Sequence, residues 1–256
     1  MQIFFDFKRD ISLLINNFSN VNINIYILIT VGIFFLILHK LRHLPILSHV
    51  SIFLGFFPVL VHELGHAFAA QIIGGQVDDI RMVLTQKQQQ KSGKQGYATT
   101  RAKNKFQFAF ITFFGYVAPP LMLFSGVYFA YRGMTFVFLF LCIIFLVFYF
   151  VMTKQKWIPL ILLILVGYAC YNIVLQHYSI VTQSTSLFYN VLLGLLLGET
   201  IQSMIITTQT TFIHKTDEWD GAAMRKLTLI PISFWWLIWL IISLIAIYEI
   251  FTIISL

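Results

Sequence analysis

The sequence predicts an all-α polytopic membrane protein of about seven transmembrane helices, with a small cytoplasmic β-hairpin after the second. Three observations carry that expectation. The 256 residues are 59% hydrophobic and only 11% charged, whereas a soluble domain is about half apolar and about a quarter charged. Seven apolar runs approach the roughly 20 residues that cross a bilayer. The basic residues between the runs fall mostly on one side.

The runs cover 22–39, 46–73, 106–131, 134–153, 157–175, 185–208 and 229–252. With the N-terminus in the cytoplasm, all of the 17 Lys and Arg except Lys40, Arg42 and Arg132 lie on the cytoplasmic side. Lys and Arg gather there, so the chain is expected to be a multi-pass cell-membrane protein with a cytoplasmic N-terminus. The net charge of +7 then reports topology. A nucleic-acid partner would need a folded basic face outside the membrane, and no segment supplies one. Length suggests a single domain over 1–256. Oligomeric state is not legible.

In residues 1–21, Lys8 and Arg9 follow the first apolar cluster and no small-residue cleavage site appears, so a signal peptide is not expected. Phe4, Phe5, Phe7, Leu13, Leu14 and Phe18 fit either an interfacial segment or a frayed terminus. The connection 76–105 is polar and basic. Ile80, Met82 and Leu84 alternate with polar or small neighbours, and Tyr97, Thr99 and Arg101 resume the alternation after a Gln/Lys/Gly stretch. This predicts a β-hairpin with a loose tip, the alternative being a disordered loop. Cys142 and Cys170 lie in apolar runs without metal-ligand spacing and read as core residues.

The second run contains His62-Glu63-Leu64-Gly65-His66. Histidines four apart on a helix share a face and can bind Zn²⁺ from one element. Glu63, about 100° around the helix, is placed to act as general base without being a ligand. Chance supplies this pattern in roughly 0.003 of chains of this composition, and ionisable residues inside a span are functional by default. Gly74-Gly75 should end the helix, which puts His66 about 12 Å from the cytoplasmic end. Gly65, Ala67, Ala69 and Ala70 are small enough to admit a neighbouring helix.

A catalytic zinc needs a third protein ligand and one open position. Asp220, at the start of the last span on the cytoplasmic side, is the first candidate. Glu199, on a polar stripe with Gln202 and Ser203 in the sixth span, is the alternative, with Asp217 behind it. His39 and His43 repeat the four-residue spacing at a span end and read as interfacial anchors. His49, His177 and His214 are isolated. Trp235, Trp236 and Trp239 fit an aromatic belt. Iron chemistry would need more histidines on one side, and a transporter would need a polar pathway across several spans.

Val61 to Ala67 resembles the zinc helix of the site-2 protease family of intramembrane metallopeptidases. Gly74-Gly75 with the following hairpin, Gly115 to Pro120, and Asp220-Gly221 resemble that family's later motifs. The block from Asp220 through Pro231 to Trp235 is similar to its compact bacterial branch. An Asn-x-x-Pro ahead of Asp220 and an inserted PDZ domain are both missing. The resemblance implies a prokaryotic plasma-membrane enzyme, with Asp220 as third zinc ligand, that cleaves membrane-anchored proteins or peptides. A non-catalytic relative that binds metal and acts through partners is the alternative.

Overall fold

A computed structural model describes residues 21–175, 179–214 and 216–255. Residues 1–20 and His177, and the side chain of Cys170, lie outside the described residues. The elements, in order, are α1 (Ile25–Lys40), α2 (Pro45–Ile72), β1 (Gln76–Met82), α3 (Gln86–Ser92), β2 (Gly96–Arg101), α4 (Lys105–Tyr131), α5 (Thr135–Met152) and α6 (Trp157–Leu175). Then follow α7 (Ser179–Gln209), a π-helical turn (Thr210–His214), α8 (Asp220–Thr228) and α9 (Ile232–Ser255). Each of the seven apolar runs is helical. Among the described residues, five helices are long and apolar enough to cross a membrane: α2, α4, α5, α7 with its π turn, and α9. α1 and the Trp157–Tyr168 part of α6 are shorter apolar stretches.

The site-bearing core is α2 against α4. The two run antiparallel: Gly65 faces Phe114 and Ala118, and the Gln107 side chain donates to the Ile73 carbonyl at 2.9 Å. A Cβ on Gly65 would stand 2.5 Å from the Phe114 oxygen, so glycine sets how near the backbones come. α7 also runs antiparallel to α4, with the Tyr189 hydroxyl donating to the Gly126 carbonyl at 2.6 Å. α9 lies beside α4, where the Trp239 indole donates to the Phe113 carbonyl at 3.0 Å.

α1 departs from the expected alternation. Asn24 meets Asn190, Gly32 meets Gly194 and Gly198, and His39 meets Gln202. Both chains ascend together through these contacts, so α1 and α7 are parallel, whereas a first and a sixth span in strict alternation would be antiparallel. α2, antiparallel to α4, also runs with α7. Only Leu41 to Leu44 join α1 to α2, and four residues reach at most about 14 Å. Two helices so joined and running the same way are not successive full crossings. The cause is packing: Gly194 and Gly198 leave room for Val31 and Phe35, at distances no Cβ would allow.

The hairpin forms as expected, antiparallel, pairing Gln76 with Arg101 through Met82 with Gly96, with an irregularity between Val77 and Asp79. Ile80 and Met82 are buried. Its tip is not loose. Thr85 accepts from the Gln88 amide at 3.3 Å, and Gly93 closes α3 with φ +67°, so a capped turn of Gln and Lys, all good helix formers, forms there. The outer edge of β1 is occupied by the α5–α6 connection. Thr153 donates to the Ile80 carbonyl at 2.6 Å, the Met82 amide donates to Gln155 at 3.1 Å, and the Lys154 amide donates to Asp79 at 2.8 Å.

The last span is also preceded by more structure than expected. Asp220 does not start it; it starts a separate short helix, α8. Leu229, at φ 63°, ends α8 by donating to the Arg225 carbonyl at 2.9 Å, and Pro231 stands just before α9.

Candidate metal centre

The spacing of His62 and His66 on α2 puts both imidazoles on one face, edge to face with centroids 4.9 Å apart. Asp220 approaches from the first turn of α8. Its Oδ2 is 3.4 Å from His62 Nε2 and 3.3 Å from His66 Nε2, and the two Nε2 atoms are 3.3 Å apart. Ligands about 2.0–2.1 Å from a tetrahedral ion lie roughly 3.3–3.4 Å from one another, so this triangle has the edge such an ion requires. His66 Nδ1 donates to the Ile111 carbonyl at 2.9 Å. A carbonyl only accepts, so the His66 proton sits on Nδ1 and its Nε2 lone pair faces the triangle. His62, His66 and Asp220 could therefore hold a metal ion.

The surrounding sequence explains why the three meet. A Cβ on Gly115 would stand 2.3–2.4 Å from the His66 ring, so α4 can back both imidazoles only because glycine is there. Tyr116 lies edge-on to His62 at 4.8 Å and against Trp239 at 4.9 Å. Trp219 completes this wall, 6.3 Å from Tyr116 and 6.2 Å from Trp239 between centroids. Its indole covers Gly221, where a Cβ would meet the ring at 2.3 Å. Glycine after Asp220 thus lets Trp219 fold over the start of α8.

Glu63 is buried, with β2 packed against it. A Cβ on Gly96 would come within 3.1 Å of Glu63 Cγ, so the hairpin lies directly on this side chain. Ile80 and Met82 turn their backbone groups to the outer edge of β1, and their partners Ala98 and Gly96 face outward with them, as the non-bonded pairs of an antiparallel ladder do. Gly96, Ala98 and Thr100 therefore turn their backbone groups away from β1 and along the side of Glu63.

The other candidates are not gathered here. Glu199 is buried in α7 and accepts from Ser203 at 3.1 Å. Asp217 is exposed. His39 accepts from Gln202 at 3.0 Å and from Arg42 at 3.3 Å, so it ties α1 to α7. His43, His49 and His214 are exposed, and Cys142 lies at the edge of the core. The three tryptophans of α9 satisfy their indoles internally, on Thr228, Thr208 and Phe113. Trp219 and Ala98 escaped the sequence reading, and Gly115 and Tyr116 were singled out only as part of a resembling motif, without their place beside the imidazoles. A glycine between bulky aromatics, Phe114 and Tyr116, was the available signal for Gly115.

Comparison with the curated proteins and with the solved structures gave no match. A family model described as Peptidase M50B-like matches residues 26–249. That range runs from α1 to the last turns of α9 and takes in the His62, His66 and Asp220 triangle, as the site-2 protease resemblance would require. The chain belongs to the Peptidase M50B-like family.

Proposed function

We propose that this chain is an intramembrane zinc metallopeptidase that hydrolyses peptide bonds of membrane-anchored proteins or peptides near the cytoplasmic face. The observation that carries the reading is the triangle of His62, His66 and Asp220 with the Glu63 carboxylate buried beside it. Two neutral imidazoles and one carboxylate suit Zn²⁺ and leave one of four positions open. Bound there, Zn²⁺ acidifies water and polarises a carbonyl. Glu63 takes a proton from the attacking water and returns it to the leaving amine.

The hairpin presents the substrate. Its β1 edge is filled by Thr153, Lys154 and Gln155, so an extended segment adds to the β2 edge, by β-augmentation. Helical substrate must unwind there, because a helical amide is shielded by its own hydrogen bonds. The segment then passes Ala98, whose neighbour is Glu63. The whole chain, 1–256, works as one multi-pass domain of a prokaryotic plasma membrane, with the Asp220 end of the bundle in the cytoplasm, where the basic connections gather.

The test is Glu63→Gln beside His62→Ala and Asp220→Ala in purified protein. Glu63→Gln should keep zinc and lose cleavage of a membrane-anchored substrate by at least about a hundredfold. The other two should lose zinc. Full activity in Glu63→Gln would overturn the mechanism.

A further inference from the structure

We infer that, once a metal is bound, Glu199 becomes the hydrogen-bond acceptor for His62 Nδ1 and holds this imidazole in the tautomer and orientation the metal requires. The inference rests on the metallopeptidase reading and deepens it. An imidazole that ligates through Nε2 carries its proton on Nδ1, and that proton needs an acceptor. For His66 the acceptor is the Ile111 carbonyl at 2.9 Å. His62 turns Nε2 toward Asp220 in the same way, yet no hydrogen bond of its Nδ1 exists among the described residues.

The complementary need sits on α7. Glu199 is 8% exposed. Its Oε1 accepts from Ser203 at 3.1 Å, and its Oε2 is buried without a partner. A carboxylate inside a span is costly and is retained for function. α7 meets α2 at this level, with Val61 and Leu196 in one core cluster. One donor without an acceptor and one acceptor without a donor thus stand on adjacent helices. Glu199 is not a ligand itself: Asp220 closes the triangle and Glu199 is outside the group whose ligand atoms converge. It is a positioning residue, acting through His62, and it fixes the ring as a carboxylate commonly does behind a ligating histidine.

The experiment uses the full chain in detergent, with Zn²⁺ and Co²⁺ alone as probes. Glu199→Leu should weaken Zn²⁺ binding by about 10–100-fold and alter the visible spectrum of the Co²⁺ form. Glu199→Gln keeps an acceptor oxygen, so it should stay within about threefold of wild type and keep the Co²⁺ spectrum. Nitrogen-resolved NMR of the wild-type Zn²⁺ form should show slowly exchanging Nδ1 protons on both His62 and His66. This readout stands even if Glu199→Leu fails to fold. Unchanged affinity and spectrum in Glu199→Leu overturn the inference, as does a Glu199→Gln variant as impaired as Glu199→Leu, or a freely exchanging His62 proton. Wild type that binds no Zn²⁺ overturns the metal reading itself.

Discussion

Gly115 is where a single atom decides whether the triangle forms. Any side chain there meets the His66 ring at 2.3–2.4 Å and the His62 ring at 3.0 Å. The rings cannot yield without leaving Asp220, because His66 is already fixed from behind by Ile111. Gly115→Ala should therefore weaken Zn²⁺ binding by about 10–100-fold, on the scale of disturbed ligand orientation. Zinc titration of the purified variant checks this, and wild-type affinity would mean that α4 does not back the ligands. The residues that bring their own chemistry were legible in the sequence: His62, Glu63 and His66 by spacing, Asp220 by its depth. Those that shape the space around them were not. Trp219 reads as an ordinary aromatic in an apolar chain, and Tyr116 only as part of a motif, until α4 and α8 set their rings against His62 and Gly221. Glu199 was legible as a buried acid, but whether it ligates or supports depends on which atoms converge.

At the scale of elements, the hairpin owes its position to the α5–α6 connection as much as to its own pairing. Thr153 and Gln155 bind the outer edge of β1, each bond worth about 1 kcal/mol. Thr153→Val with Gln155→Ala should loosen the hairpin by about 2 kcal/mol. Cleavage should slow while zinc content stays at wild type. Hydrogen exchange of the Tyr97 and Thr99 amides, which face β1, should quicken; if it does not, the connection does not hold the strand. The break between α8 and α9 makes a second expectation. Leu229 adopts φ 63° with its side chain 87% exposed, and a non-glycine residue there pays about 1–2 kcal/mol. Leu229→Gly should raise stability by about 0.5–1 kcal/mol, part of the gain being lost to the freer unfolded chain. A melting curve in detergent reads it, and a lowered Tm would mean the leucine side chain is held by lipid or detergent. Span limits were legible to within a few residues, except where α7 begins earlier than expected, because long apolar runs have few alternatives. The hairpin tip and the α8 break were not. Gln and Lys suit a loop and a helix alike, and nothing in a leucine announces a left-handed conformation.

For the whole molecule, the decisive feature is the direction of α1. The charge rule cannot detect it. Reversing α1 moves Lys8 and Arg9 to one side and Lys40 and Arg42 to the other, so the split of basic residues is unchanged. Packing does detect it: Asn24 sits at the Asn190 end of α7, some 24 residues before His214 and the approach to Asp220. At 1.5 Å per residue that is about 36 Å, the thickness of a bilayer core and more. If the Asp220 end faces the cytoplasm, Asn24 faces the other side, and the cytoplasmic start expected from alternation does not hold at α1. Single cysteines on a background lacking Cys142 and Cys170 test this. Asn22→Cys, Arg132→Cys and Lys103→Cys all replace exposed side chains. In intact cells a membrane-impermeant thiol reagent should label Asn22→Cys and Arg132→Cys alike and spare Lys103→Cys, which should react only after the membrane is opened. Asn22→Cys that behaves like Lys103→Cys would return α1 to alternation and would require its contacts with α7 to be wrong. The same result would move Glu199 relative to α2 only if α7 itself were displaced, since Tyr189 ties α7 to α4 independently of α1.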